Sequence, residues 1–272
     1  MINGDILKEK FTYNYSRIPY FTSPLLDSYN CQHLFSTRHG GVSEGIFESL
    51  NFAVINGCNR DDESNVDRNM DLAASVFSLT KENVVRGFQK HSNKVEIVDQ
   101  KNCGKVFSYP VDGLVTDKKD VLLSIRTADC APVLFFEKNG KCCGAVHSGW
   151  RGTLDNISKN AIEIMVEHYN VNIDDIIIAI GPYNNLCCYE VGDDFYHMFI
   201  DKDPRYDECF KRFGDKYHFD NGQAISISLI DCGINKNNIS ICNDCTCCNN
   251  DFYSHRRQGY DRGSLASFIV LK

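Results

Sequence analysis

Three apolar runs stand almost back to back in the middle of the chain: "VLLSI" at 121–125, "PVLFFE" at 132–137 and "CCGAVH" at 142–147. Each is too short for a helix, and none alternates with polar residues as a half-exposed strand does. They read as strands buried on both faces, which commits the chain to a sheet covered on each side. The "KNG" at 138–140 is a turn signal, so the second and third runs are expected to pair as a hairpin. Cys130 then stands just before one strand and His147 at the end of the other, which places a thiol and an imidazole at the same end.

The flanking segments supply the rest of the architecture. "FTSPLLDSYNCQHLFSTRHGGVSEG" reads as strand, turn, strand and glycine loop, and "VVRGFQ", "KVEIVD" and "DIIIAIGP" as further strands. "DDESNVDRNMDLAASVF" offers Asp61 or Asp62 as a cap, with Val66, Met70, Ala73 and Phe77 at helical spacing. Ile157, Ala161, Ile164, Met165 and His168 mark a second amphipathic helix, and "GDDFYHMFI" a short one. "FYSHRRQGYDRGSLASFIVL" is expected to be strand, loop and closing strand. Strands and helices interleave without strict alternation, so the expected class is α+β, with mixed β-sheets flanked by helices. No repeat or Pro/Gly-rich linker divides residues 1–272, which are read as a single domain.

The net charge of −7, with no basic cluster, argues against a nucleic-acid binder. "MINGDILKEK" lacks the apolar core of a signal peptide, and no run of about 18 apolar residues is present, so neither export nor a membrane is expected. A cytoplasmic location follows as the expectation. In a reducing compartment the fourteen cysteines are thiols or metal ligands rather than a disulfide scaffold. Adjacent cysteines rarely bridge each other, and most are read as small buried hydrophobes. Cys242 and Cys245 in "ICNDCTCC" have the spacing of half a zinc ribbon but no second CxxC pair, so a buried, cysteine-rich strand end is the expectation there.

A third chemistry-bearing residue, His91, lies in "GFQKHSNKV" between two short strands. One cysteine and two histidines form a ligand set for catalytic zinc, with a fourth position left open. The same trio without metal is a nucleophile with its base. Arg38 and His39 in "STRHGGVSEG", and Arg151 after the single tryptophan, are candidates for phosphate or substrate binding. Arg256 and Arg257 in "YSHRRQ" either hold an anion or face the acidic surface.

Taken in order, "FSTRHGGVSEGIFESLN", "QKHS", "DGLVT", "TADCAPVLFF", "AVHSGWRG", "GPYNNLCCYEVG" and "FYSHRR" resemble the YfiH family, also called the laccase-domain or polyphenol-oxidase family, over about residues 34–269. The resemblance implies that His91, Cys130 and His147 hold zinc. It implies a zinc-dependent purine nucleoside enzyme: phosphorolysis of adenosine, inosine, guanosine and methylthioadenosine, together with adenosine deamination. Purine nucleosides and phosphate are then the small-molecule partners, and Asp129 is a candidate to orient a ligand or shuttle a proton. It also implies a fold like that of cytotoxic necrotizing factor catalytic domains, which are cysteine deamidases, so a metal-free Cys130–His147 amidohydrolase stays open. Copper oxidation of phenols, suggested by the family's older name, requires paired His-x-His segments, which the eight histidines do not form. "LNFAVINGCNRDD" lacks the family's histidine, and "YDRGSLAS" inverts its usual glycine and arginine.

Overall fold

The structure, a computed structural model, describes residue 6 and residues 8–272, so the segment on which the expectation of no leader rests lies largely outside the described residues. Two seven-stranded mixed sheets dominate it. The first runs, edge to edge, through Lys8–Glu9, Ile239–Cys242, Ile176–Ile180, Ala131–Glu137, Cys143–Ser148, Gly113–Thr116 and Val95–Ile97. The second runs through Thr12–Tyr15, Pro19–Thr22, Gln32–Ser36, Leu265–Val270, Leu122–Thr127, Val84–Phe88 and Val106–Pro110.

The continuous apolar runs follow from the layering. Along Ala131–Glu137, Leu134 and Phe136 pack against Leu123, Ile125 and Ile269 of the second sheet. The intervening Val133 and Phe135 pack with Ile157, Ala161, Ile225 and Leu229 of two helices, Ile157–Glu163 and Asn221–Asp231. The outer face of the second sheet is covered by Glu63–Ser75 through Met70 and Ala73. Both residue parities are therefore buried, at about 1.5–3 kcal/mol for each large apolar side chain. The expected α+β class is the class observed.

The anticipated hairpin forms, with Ala131 opposite Ser148 and Pro132 opposite His147. Asp62 caps the helix Glu63–Ser75 by accepting from the Ser64 amide at 2.8 Å. One expectation fails. Residues 252–254 of "FYSHRRQ" form no strand but lead into a short helix, His255–Gln258, because the Ser254 hydroxyl accepts from the Arg257 amide and starts a helical turn. No helix among the described residues is long and apolar enough to cross a membrane.

Candidate active site

The hairpin ends where it was expected to matter. Cys130 precedes Ala131–Glu137 and His147 is the penultimate residue of Cys143–Ser148, so both reach the same sheet edge. His91 joins them from the loop after Val84–Phe88, where it adopts a left-handed conformation at φ +58°. Its Nε2 lies 3.7 Å from the Cys130 sulfur, and its ring centroid is 4.8 Å from that of His147. Ligand atoms of all three lie within 4.8 Å of one another. A tetrahedral zinc with ordinary Zn–N and Zn–S bonds separates nitrogen from sulfur by about 3.6 Å, so the trio fits such an ion.

Asp112, which the sequence reading did not single out, organises the trio. It precedes Gly113–Thr116, the strand beside Cys143–Ser148, and is fully buried. The backbone N–H groups of Lys90, His91 and Ser92 donate to its carboxylate at 3.0, 3.0 and 2.8 Å, and the Ser92 hydroxyl donates at 2.6 Å. His147 Nδ1 lies 2.8 Å from the same carboxylate. That contact assigns the proton to Nδ1 and leaves Nε2 free to bind a metal. Burial opposes the Asp112 charge, but hydrogen bonds from His147 and Ser92 outweigh it and hold the carboxyl far below its usual range.

The electrostatics of Cys130 and His147 are reciprocal. Burial pushes the Cys130 thiol up, yet the His147 charge and hydrogen bonds from both histidines bring it down to about 6. Burial pushes His147 down, yet Cys130 and Asp112 raise it to about 9. Without a metal, the pair between those values favours a thiolate beside an imidazolium, a form suited to nucleophilic attack, and metal binding would displace the Nε2 proton.

Gly149 explains the abrupt "HSGW". A β-carbon there would lie 2.8 Å from His91 Cδ2 and 3.0 Å from the Cys130 sulfur. The trio takes up the space that a side chain needs.

Two cavities that share His91, Cys130 and Arg262 in their linings flank the trio. One of about 460 Å³ is lined by Trp150, Arg151, Asn184, Tyr189 and Arg262, with His91 and Cys130 on its floor. This volume is within the usual range for small-molecule sites. The other, about 250 Å³, is lined by Gln89, Arg126, His147 and again Arg262. The Nε atoms of Arg126 and Arg262 are buried without a hydrogen-bond partner among the described residues. Burial and the neighbouring Arg86 disfavour the Arg126 charge, and no carboxylate among the described residues forms an ion pair with either guanidinium. Half-buried guanidiniums whose Nε atoms lack a partner are suited to bind an anion. Arg126 is not singled out by the sequence, and Arg262 stands out there only as the arginine of the inverted "YDRGSLAS" segment.

The remaining predicted residues divide. Arg151 lines the larger cavity with its guanidinium 4.1 Å over the Trp150 ring. Asp129 also lines it, but both carboxylate oxygens are engaged: Thr246 Oγ1 donates at 2.6 Å and the Arg256 amide at 2.5 Å. With its backbone at φ +90°, Asp129 fixes the turn before Cys130 rather than presenting a free carboxylate. Arg256 lines the cavity too, donating to the Glu190 carbonyl at 3.0 Å. Arg38 and His39 line neither cavity. Arg38 donates to the Glu48 carbonyl at 2.8 Å and stacks on Tyr253, while His39 pairs with Asp251 at 3.1 Å.

Known proteins share this arrangement of chain. Residues 32–272 match the family described as multi-copper polyphenol oxidoreductase laccase. A Bacteroides thetaiotaomicron protein named purine nucleoside phosphorylase is 30% identical over 257 residues, covering 90% of this chain and 94% of that protein. Purine nucleoside phosphorylase YlmD of Bacillus subtilis is 30% identical over 249 residues, covering 88% and 87%. Among solved structures, YlmD from Geobacillus stearothermophilus superposes with a TM-score of 0.85 at 27% identity, covering 99% of this chain and 100% of that one. The Bacillus licheniformis hypothetical protein YfiH superposes with a TM-score of 0.86 at 26% identity, covering 96% and 99%. The chain thus belongs to the multi-copper polyphenol oxidoreductase laccase family, the laccase-domain family to which its sequence motifs pointed.

Proposed function

We propose that this protein is a zinc-dependent purine nucleoside phosphorylase that also deaminates adenosine. The observation that carries this reading is a pair of guanidiniums whose Nε atoms lack a partner, Arg126 and Arg262, set with the His91–Cys130–His147 trio around the smaller cavity, next to one of about 460 Å³. The names of relatives that cover nine-tenths of the chain support it.

His91, Cys130 and His147 hold the ion, and Asp112 sets the His147 tautomer. Zinc held in this way supplies a Lewis acid with an open coordination position. Arg126 and Arg262 receive phosphate, neutralising its charge and placing an oxygen beside the nucleoside. The purine lies on the Tyr189 and Trp150 side of the larger cavity, with Arg151 and Asn184 available to its polar edge. In phosphorolysis a phosphate oxygen bonds to the ribose anomeric carbon, the carbon–nitrogen bond to the base breaks, and the phosphate proton ends on the departing base. In deamination, a water oxygen bonds to C6 of adenosine, the C6–amine bond breaks and ammonia leaves, giving inosine. Adenosine, inosine, guanosine and methylthioadenosine are the substrate set. Copper fits less well, because the chain lacks the paired His-x-His segments of multicopper oxidases.

Incubation with adenosine, with and without phosphate, tests the assignment by chromatography. Adenine and ribose 1-phosphate are expected only with phosphate, and inosine in both arms. Absence of turnover by zinc-loaded protein contradicts it.

A second reading is favoured by one arrangement: Asp112, His147 and Cys130 stand in the order orienter, base and nucleophile. As a metal-free amidohydrolase, the protein would keep full activity after chelation and lose it on alkylation of Cys130.

A further inference from the structure

The sequence pairs Cys242 with Cys245, but the structure separates them. The Cys242 thiol faces the Asp244 carboxylate at 3.8 Å, whereas Cys245 turns toward Cys187, Cys188 and Cys248. The four sulfurs of this second group lie within 4.8 Å of one another. Cys248 is 3.4 Å from Cys187 and 3.2 Å from Cys188, sulfur to sulfur. We infer that Cys187, Cys188, Cys245 and Cys248 form a second metal site, a four-thiolate structural zinc centre independent of the His91–Cys130–His147 trio.

The topology brings the two cysteine pairs together. Ile176–Ile180 and Ile239–Cys242 are parallel neighbours, with Ile180 opposite Ile241, so the loops that follow leave from one sheet edge. Tyr183 pairs with Cys245 in an isolated bridge, and the Thr246 amide donates to the Tyr183 carbonyl at 3.0 Å. Cys245 and Cys248 then supply a C-x-x-C pair, and Cys187 and Cys188 the second pair.

Chemistry favours an ion over the alternatives. Zn–S bonds of about 2.3 Å place tetrahedral sulfurs about 3.8 Å apart, close to the separations present. Neighbours in sequence rarely join in a disulfide, so oxidation would have to bridge the two loops, an outcome that the test below distinguishes from a metal. The Asn185 amide donates to the Cys245 sulfur at 3.4 Å, the kind of support that metal-bound thiolates receive. Arg257 braces the same loop, donating to the carbonyls of Thr246 and Cys247 at 2.9 and 2.7 Å, and brings a positive charge to it. Four thiolates close the coordination sphere, so this centre holds structure rather than reacts.

What it holds is one wall of the active cavity. Tyr189 follows Cys188 directly and lines the cavity, and Thr246, between Cys245 and Cys248, donates to Asp129 beside Cys130. The Asn184 amide donates to the Asp129 carbonyl at 2.9 Å from the other loop.

Alkylation of the full-length, zinc-replete protein with N-ethylmaleimide, read by peptide mass spectrometry, tests the site. Cys58, Cys187 and Cys248 are all exposed, and Cys58 belongs to neither cysteine-containing metal group, so it serves as the internal control. The expected result is labelling of Cys58 with Cys187 and Cys248 protected, the protection being lifted by a zinc chelator. Labelling of Cys187 and Cys248 as fast as Cys58 overturns the site. So does protection lifted by a reductant and not by the chelator, which identifies a disulfide. Zinc content gives an independent readout: Cys245→Ser/Cys248→Ser is expected to lose one equivalent per chain relative to wild type. Cys130→Ala leaves that equivalent in place, so failure of either site is seen separately. Unchanged zinc in the soluble double variant overturns the inference.

Discussion

Asp112 lies 2.8 Å from Nδ1 of His147 while it also accepts from the amides of Lys90, His91 and Ser92. One buried carboxylate therefore fixes the tautomer of one ligand and the backbone of the loop that carries another. Exchanging the carboxylate for a carboxamide keeps the volume but removes the charge that favours the Nδ1 proton. Asp112→Asn is expected to weaken zinc binding about 10- to 100-fold, the usual cost of losing a partner behind a metal-bound histidine. Competition with a chromogenic chelator measures this; unchanged affinity removes Asp112 from the account.

Arg262 borders both cavities and its Nε has no partner among the described residues. A hydrogen bond from a charged group contributes about 1.5–3 kcal/mol, so Arg262→Gln should reduce kcat/KM for phosphate roughly 10- to 150-fold. Zinc content should stay as in wild type, and inosine formation, which needs no phosphate, should change far less. Equal losses in both reactions would assign Arg262 to the nucleoside instead.

In metal-free protein the Cys130 thiol is opposed by burial but drawn down to about 6 by His147 and His91. A thiolate reacts and a thiol does not. Iodoacetamide labelling of Cys130 should therefore be near its maximum at pH 7 and fall as the pH drops below about 6. An unperturbed thiol would still be gaining rate up to about 9, its ordinary value. Zinc should suppress the labelling at every pH where it stays bound. A rate still climbing steeply above pH 8 would show that the histidines do not stabilise the thiolate.

Gly149 is tested by a single methyl group. In Gly149→Ala the new carbon meets His91 and Cys130 at 2.8 and 3.0 Å, so one ligand must move. Zinc affinity is expected to fall about 10-fold or more, on the scale of a displaced ligand, with the far-ultraviolet circular dichroism unchanged. Full zinc affinity in this variant would mean that the trio is looser than its geometry.

The parts legible in the sequence were those set by short-range rules. The apolar runs and "KNG" announced the central hairpin, and the hairpin alone brought Cys130 to the level of His147. His91 carried no such signal, since its loop reaches the site from the other sheet; its residue type made it a candidate third ligand, and the family motif supported the grouping. Asp112 was hidden because its role depends on Gly113 lying opposite Val146, a pairing that no local spacing announces. Arg126 reads as an ordinary strand-end charge and Arg262 only as the displaced arginine of "YDRGSLAS", because the lack of partners at their Nε atoms is a property of the packed structure. Arg38 and His39, before two glycines, read as an anion loop, and in the structure they partner Glu48 and Asp251 outside both cavities. The four-cysteine group escaped for the same reason as Asp112, because Cys187 and Cys245 meet through parallel strands.

The central claim is that the ion held by His91, Cys130 and His147 is needed for phosphorolysis. Its most direct test is the rate of adenine release from adenosine and phosphate, measured on protein as purified, after metal removal and after reloading. The rate is expected to be lost on chelation, restored by zinc but not by magnesium, and absent from Cys130→Ala at every metal concentration. Full activity in the metal-stripped protein, or in Cys130→Ala, would contradict it.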